Sequence, residues 1–155
     1  MNKQIRKLSQ SFKYAARGIR QCVHTERNFR IHLCAAVYVT LLALMGRLDG
    51  TKCAVLCVCF GLMLGAELMN TAIERLCDRD ARGYDGAVRD AKDIAAGAVF
   101  VCALACALVG ALFFLEPHTL HHIYLFLRDR VWIAGVLALS IPVSVAFIFN
   151  LRGKL

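Results

Sequence analysis

Residues 53–69 read CAVLCVCFGLMLGAELM, an apolar run that contains a single charged side chain, the carboxylate of Glu67. A run of this length and composition is typical of a helix that spans a membrane. A carboxylate within such a helix costs free energy unless it has a role, so an intramembrane acid is itself a reason to expect a functional site. The rest of the chain can be interpreted around this residue.

Three other apolar stretches could also cross a bilayer, at 31–45, 94–115 and 131–151. Two of the four stretches reach the roughly 20 residues that span the hydrocarbon core, and flanking helical turns can extend the two shorter ones. Since 59% of the chain is hydrophobic, we predict an all-α fold: a polytopic membrane helix bundle.

The N-terminal segment, residues 1–24, has a different pattern. Its apolar residues recur at spacings of three or four positions, with Lys and Arg on the remaining faces, and include Ile5, Leu8, Phe12, Ala15, Ile19 and Cys22. This pattern predicts an amphipathic helix that lies in the headgroup plane with its apolar stripe toward the lipid.

The positive charges are distributed unevenly between the two sides of the predicted bundle. Eight of the 19 Lys and Arg residues precede the first span, five lie between the second and third spans, and two lie in the tail. The positive-inside rule makes that side cytoplasmic, so both termini are expected in the cytoplasm of a multi-pass cell-membrane protein. The net charge of +8 then reflects topology and attraction to anionic lipids, and no nucleic-acid-reading module accompanies it.

The connections between the spans differ in length. Asp49 and Gly50 mark a short turn between the first two spans, which makes those helices antiparallel neighbours. The connection at 78–90 is rich in Gly and Arg and long enough to cover a site. The stretch 116–130 is expected to be an outer loop, and its His118, His121 and His122 are interpreted as solvated loop residues rather than as a metal site. The eight cysteines are interpreted as packing residues.

Glu67 heads a stripe of polar side chains on the second span. At helical spacing the stripe extends for ~16 Å along one face and consists of Glu67, Asn70, Thr71, Glu74 and Asp78. One end lies at the membrane interface and the other in the cytoplasm. Such a surface can hold a divalent cation on carboxylate oxygens at its wet end and present another carboxylate to a lipid headgroup.

Two further clusters are expected at the same depth. Glu26 precedes the first span, and Lys92 and Asp93 open the third. The combination suits a Mg-nucleotide, with carboxylates for the metal, basic residues for the phosphates and one acid left free as a base. The usual nucleotide-binding loops, G-x-x-x-x-G-K-[ST] and the Gly-rich loop of protein kinases, are missing from the sequence.

Three motifs together carry a family resemblance: ERNFRIH at 26–32, ELMNTAIERLCD at 67–78 and AKDIAAGAV at 91–99. In this order, within residues 11–115, they resemble the bacterial diacylglycerol kinase and undecaprenol kinase family. The resemblance implies a homotrimeric integral membrane kinase with an amphipathic N-terminal helix and three spans. It also implies transfer of the ATP γ-phosphate, with Mg2+, to a lipid hydroxyl.

The resemblance also implies roles for individual residues. It makes Glu67 the catalytic base with Asn70 beside it, and Glu26 and Glu74 the carboxylates that bind the Mg-nucleotide. Its further nucleotide contacts are Lys7, Tyr14, Gly83, Tyr84, Asp85, Lys92 and Asp93. Its lipid contacts, besides Glu67, are Arg20, Asn28, Phe29 and Arg30.

The chain departs from the family pattern in one respect, a fourth C-terminal span at 131–151 with Pro142 as a kink. The expected division is therefore an interfacial helix at 1–24, a three-span lipid kinase core at 25–115, and an outer loop with an extra span at 116–155. Every motif residue precedes the added part. Deleting the chain from residue 118 onward is therefore expected to leave kinase activity.

Three alternatives are compatible with the same residues: a different acceptor lipid, a transporter and a purely structural polar seam. The residues of the first two motifs are more similar to those of the family branch that favours undecaprenol. Diacylglycerol is the alternative acceptor. A small transporter or proton pathway would also use an intramembrane Glu67, but it should place acids at the midplane of several helices. A polar seam, in which Glu67 is hydrogen-bonded to Asn70 or Thr71, would only hold helices together.

Overall fold

The structure, a computed structural model, describes residues 3–80 and 85–150. Within these residues the chain forms helices and no strands, which confirms the predicted all-α fold. The helices are α1 (Lys3–Thr25), α2 (Arg27–Met45), α3 (Gly50–Asp80), α4 (Gly86–Phe114), α5 (Pro117–Asp129) and α6 (Val131–Asn150). The predicted nucleotide contacts Gly83 and Tyr84 lie outside the described residues.

Four of the helices, α2, α3, α4 and α6, are long and apolar enough to cross a membrane, as the four apolar stretches predicted. The longest is α3, whose 31 residues extend over ~46 Å, well beyond the ~30 Å hydrocarbon core. The connection predicted at 78–90 is therefore shorter than expected, because α3 continues past Asp78 to Asp80 and α4 begins at Gly86.

The centre of the bundle is the antiparallel pair of α3 and α4, against which α2 packs. Its small core includes Leu56, Cys59, Met63 and Ala95, and the Cys106 thiol on α4 donates to the Cys59 carbonyl at 3.5 Å. Most other large apolar side chains face outward, as expected of helices whose solvent is lipid. The cysteine contact agrees with the packing role that the sequence predicted for these residues.

The added helix α6 packs along α2 and is hydrogen-bonded to it. The Tyr38 hydroxyl lies 2.8 Å from the hydroxyls of both Ser140 and Ser144. These contacts involve one tyrosine and two consecutive turns of α6, which continues as a single helix through Pro142. The fourth span is thus attached to the core.

The stretch predicted as an outer loop is instead the 13-residue helix α5. Pro117 occupies its first turn, where the missing N–H costs nothing and the fixed φ favours helix initiation. Thr119 on α5 is only 2% exposed and lies against Gly46, where an added Cβ would be 2.8 Å from the Thr119 methyl. The loop prediction was wrong because Pro117, which follows the end of α4, also begins a new helix.

The N-terminal helix α1 has the amphipathic character that the sequence predicted. The apolar side chains of Ile5, Leu8 and Phe12 are more than half exposed, so no part of the described protein covers them. At the other end of α1, Cys22 is buried against Thr71 of α3, and this burial raises the pKa of the Cys22 thiol. One end of α1 is therefore anchored on α3, and the other presents its apolar stripe.

Candidate active site around Glu67

Glu67 lies on α3 and is only 3% exposed. The His32 ring on α2 is its neighbour, with Nε2 3.3 Å from Oε1, but this oxygen accepts no hydrogen bond from any of the described residues. A buried carboxylate oxygen without a partner is costly, and such groups concentrate where function requires them. The missing hydrogen bond weighs against the interpretation of Glu67 as part of a merely structural polar seam.

Asn70 lies about one turn beyond Glu67 on α3 and contacts Glu74. Its side-chain amide donates to Glu74 Oε1 at 2.8 Å, the spacing of neighbours on one helix face. Its own carbonyl oxygen, Oδ1, is buried and has no hydrogen-bond partner among residues 3–80 and 85–150. Asn70 therefore orients the Glu74 carboxylate and leaves one acceptor unpaired beside Glu67.

Glu26 reaches the same region from the joint between α1 and α2. Its backbone is extended at the N-cap of α2, and its Oε1 accepts from the Thr25 hydroxyl at 2.8 Å and from the Arg75 guanidinium at 3.4 Å. Arg75 lies on α3, so this ion pair holds the joint against the helix that carries Glu67. The sequence interpretation did not identify this positioning role of Arg75.

The carboxylates of Glu26 and Glu74 are both within electrostatic reach of Glu67. Their oxygens are the hard ligands that Mg2+ prefers. Among the described residues there is no group of three or more His, Cys, Asp or Glu side chains that could enclose a metal. Two carboxylates fit the way Mg2+ is usually bound, since it keeps waters and takes its other ligands from substrate phosphates.

Lys92 and its neighbours lie where α3 and α4 meet. The Lys92 ammonium pairs with Asp78 across the two helices. Asp93 is exposed, with Arg89 3.7 Å away, and Asp85 caps α4 by accepting from the backbone N–H of Ala87 at 2.9 Å. The predicted nucleotide contacts Asp85, Lys92 and Asp93 therefore lie at the surface of the bundle end where α3 and α4 meet.

The predicted contacts on α1 are more distant. Lys7, Tyr14 and Arg20 are all exposed, and along the helix Tyr14 is ~12 Å and Lys7 ~22 Å from the anchor at Cys22. Glu26, Glu67, Asn70 and Glu74 lie at one end of the bundle, and Lys7 and Tyr14 lie further along α1.

The predicted lipid contacts in the first motif divide into two groups. Asn28 is exposed, whereas Phe29 and Arg30 are each 2% exposed. The Arg30 guanidinium donates four hydrogen bonds to three backbone carbonyls: two to Ile148 at 2.8 and 3.0 Å, one to Val23 at 2.9 Å and one to His24 at 3.2 Å. Arg30 thus ties α2 to the end of α1 and to the end of α6, and a lipid reaches neither it nor Phe29 in this arrangement.

An apolar cavity of about 260 Å³ lies between α2, α3 and α4. It reaches the Glu67 region through His32, which contacts Glu67, and Met63, which lies about one turn before Glu67 on α3. Apart from His32, the cavity is lined by apolar side chains, a glycine and two cysteine thiols: Ala35, Ala36, Val39, Leu56, Cys59, Phe60, Met63, Ala103, Cys106, Ala107 and Gly110. Its chemistry is that of a site for a hydrocarbon chain.

Comparison with known proteins identifies similar chains. The family model described as prokaryotic diacylglycerol kinase matches residues 13–114. The chain is 39% identical over 108 residues to a diacylglycerol kinase of Synechocystis sp., covering 69% of this chain and 62% of that relative. It is 36% identical over 112 residues to an undecaprenol kinase of Bacillus subtilis, covering 72% and 91%. No solved structure matches significantly.

The chain therefore spans less than two thirds of the Synechocystis relative but most of the Bacillus one. The family match ends at Phe114, where α4 ends. It includes Glu26, Glu67, Asn70 and Glu74, and it leaves α5 and α6 outside.

Proposed function

Since the chain belongs to the prokaryotic diacylglycerol kinase family, with similar relatives named as lipid kinases, we propose that it transfers the γ-phosphate of ATP to undecaprenol. The observation that carries this proposal is the buried Glu67 carboxylate with its unpartnered oxygen, next to an apolar cavity. Diacylglycerol is the alternative acceptor.

In this proposal Glu67 is the general base. It accepts the proton of the lipid hydroxyl as that oxygen forms its bond to the γ-phosphorus and the bond from the γ-phosphorus to the bridging oxygen of ADP breaks. The barrier falls chiefly because the hydroxyl and the phosphorus are held in line at close distance. The unpartnered Oε1 of Glu67 is available for this proton, and no phosphoenzyme is needed.

Nucleotide binding is assigned to the carboxylates and basic residues around Glu67. Glu26 and Glu74 would hold Mg2+, which neutralises charge on the phosphates when bound. Asn70 keeps Glu74 in position through its 2.8 Å hydrogen bond. Further contacts are proposed from Lys7, Tyr14, Gly83, Tyr84, Asp85, Lys92 and Asp93, of which Gly83 and Tyr84 lie outside the described residues. Arg20 and Asn28 remain exposed for the lipid headgroup.

The assembly and orientation are part of the same proposal. Four spans return the chain to its starting side, and the uneven distribution of Lys and Arg favours a cytoplasmic location for both termini in the cell membrane. A homotrimer is proposed from the family resemblance. The many outward-facing apolar residues of α3 and α4 leave surface for neighbouring protomers as well as for lipid.

The choice of undecaprenol over diacylglycerol is supported by the lining of the apolar cavity. The two lipids differ near the hydroxyl, where diacylglycerol carries two ester carbonyls and undecaprenol carries only an isoprenyl chain. Apart from His32, whose ring lies next to Glu67, the lining has no polar side chain of the hydroxyl, amide or carboxylate type to pair with esters. A site that reads only an alcohol on an apolar chain discriminates by packing, worth about 1 to 3 kcal/mol, so diacylglycerol should still react, but more slowly.

The test compares kcat/KM for undecaprenol and diacylglycerol in the same mixed micelles with Mg-ATP, with Glu67→Gln as the inactive control. Undecaprenol is expected to be the better acceptor. A preference for diacylglycerol of about tenfold or more, about 1.4 kcal/mol, would reverse the assignment of the acceptor. Absence of transfer to either lipid, with Glu67-dependent proton flux in vesicles, would instead support the transporter alternative.

A further inference from the structure

The helix α6 lies outside the matched family region, yet it contributes to a cavity next to the candidate active site. This cavity, of about 460 Å³, is formed where the last turn of α6 meets the joint between α1 and α2. Glu26 and Asn28 line it from the joint, and Ile148 and Phe149 line it from α6. One cavity therefore combines residues assigned to the metal and to the lipid with an apolar wall from the added helix.

The position of this wall is fixed by Arg30. Two N–H groups of its guanidinium donate to the Ile148 carbonyl, at 2.8 and 3.0 Å. This carbonyl belongs to the last described turn of α6, and a cation near the C-terminal end of a helix complements the helix dipole. The remaining contacts of Arg30 go to the carbonyls of Val23 and His24. The end of α6 is thus held against the joint by a fully buried side chain.

Phe149 is the exposed part of the wall. Its ring is 55% exposed, and the Arg27 guanidinium lies 5.9 Å from the ring centroid, within the range of a cation–π contact. The site therefore offers polar groups on one side and an aliphatic and an aromatic side chain on the other. An amphiphile with a polar head on a hydrocarbon chain matches both sides.

We propose that α6 forms part of the acceptor-lipid site, with Ile148 and Phe149 packing against hydrocarbon of the lipid that extends beyond the apolar cavity between α2, α3 and α4. This inference rests on the proposed kinase function and deepens it. It also replaces the expectation that the chain can be cut at residue 118 without consequence. The cut would remove the Ile148 carbonyl, leave two donors of buried Arg30 unpaired and open one wall of the cavity.

The test uses the full chain with a double replacement, Ile148→Ala with Phe149→Ala, and Phe147→Ala as the matched control on the same helix. Phe147 does not line the cavity. The double variant is expected to raise KM for undecaprenol about tenfold, the scale of lost apolar packing. KM for Mg-ATP, kcat at saturating lipid and the melting temperature should stay near their wild-type values, and the control should match wild type throughout.

Phe149→Leu provides a rescue variant, since it keeps an apolar side chain at an exposed position and should recover most of the lost lipid affinity. A lipid KM equal to the wild-type value in both the double variant and Phe149→Leu would overturn the inference. A rise in the KM for Mg-ATP equal to the rise in the lipid KM would overturn it as well. Failure of the proposed function itself has a different signature, because wild-type protein would then phosphorylate neither lipid.

Discussion

The two ends of the bundle differ in how completely their buried polar groups are paired. At the α5 end, defined by Gly46, Lys52, Glu116 and Thr119, the Lys52 ammonium pairs with Glu116, and the Thr119 hydroxyl lies 3.5 Å from the same carboxylate. At the α1 end, defined by Glu26, Glu67, Asn70 and Glu74, two buried oxygens have no hydrogen-bond partner within the part of the chain that the structure describes.

The difference separates groups that hold the fold from groups that are reserved for a substrate. A chain selected only for stability would pair buried polar atoms everywhere, and departures from that rule are expected at functional sites. Damage at the α1 end should therefore reduce activity with little loss of stability. Damage at the α5 end should do the reverse.

The largest effect is expected from Glu67→Gln. Loss of the general base should lower kcat by about 10²- to 10⁴-fold, while Mg-ATP binding persists because Glu26 and Glu74 remain. The melting temperature should not fall, since a buried unpaired charge is being removed. Turnover assays, nucleotide titration and thermal unfolding in detergent measure the three quantities. A parallel loss of nucleotide affinity would mean that Glu67 is a metal ligand instead.

Glu26→Gln and Glu74→Gln should each weaken Mg-dependent nucleotide binding by about tenfold or more, or about 1.4 kcal/mol, because each removes an anionic oxygen ligand. Titration with and without Mg2+ separates the metal-dependent part. Asp129→Asn is the matched control, since Asp129 is the last residue of helix α5 and its carboxylate pairs with Arg128. A variant of Glu26 or Glu74 that binds Mg-ATP normally would disprove its assignment.

Much of the fold could be predicted because it depends on local composition. The apolar stretches and the spacing from Ile5 to Cys22 predicted four spans and an amphipathic helix, since hydropathy and periodicity act within one element. The helix α5 was missed for a different reason. Pro117 can both end one helix and begin the next, and three histidines made the segment resemble a polar loop.

The acidic residues of the site could be predicted from the sequence, but the contacts between helices around them could not. The spacing of Glu67, Asn70 and Glu74 places them on one helix face, whatever the tertiary structure. The buried partners of Arg30 are backbone carbonyls, one of them 118 positions away, and a carbonyl leaves no mark in the residue pattern. For the same reason neither the contact of His32 with Glu67 nor the cavity wall from α6 could be found before the helices were packed.

At the α5 end, Gly46→Ala should lower stability by about 1 to 3 kcal/mol, the usual cost of overpacking. The added Cβ would lie 2.8 Å from the Thr119 methyl and push α5 away from α2. Gly135→Ala on α6 is the matched control, because its Cβ would meet nothing within 4 Å. Thermal unfolding should separate the two variants, and kcat per folded molecule should be unchanged in both. A fall in kcat without loss of stability would break the division between the two ends.

The smallest effect concerns the pairing of Glu116 with Lys52. The hydrogen bond from Lys52 holds the pKa of the Glu116 carboxyl below its ordinary value. The folded protein therefore binds this proton less readily than the unfolded chain does. The pair stabilises the fold above the ordinary Glu pKa, and this contribution is lost as the pH falls through the lowered value.

The measurement is the melting temperature of wild type and of Glu116→Gln at neutral pH and at about pH 3, well below the ordinary Glu pKa of ~4.3. Wild type should be slightly more stable at neutral pH, with a small margin because the pair is solvent-accessible and such pairs are screened. The margin should shrink at the lower pH, where Lys52 is still charged but the Glu116 carboxyl of the unfolded chain is protonated, so that forming the pair requires release of that proton. A margin that does not change with pH would show that the carboxylate charge is not what stabilises this end. A loss of kinase activity in Glu116→Gln would connect the α5 end to the chemistry at Glu67, a connection that the paired groups there give no reason to expect.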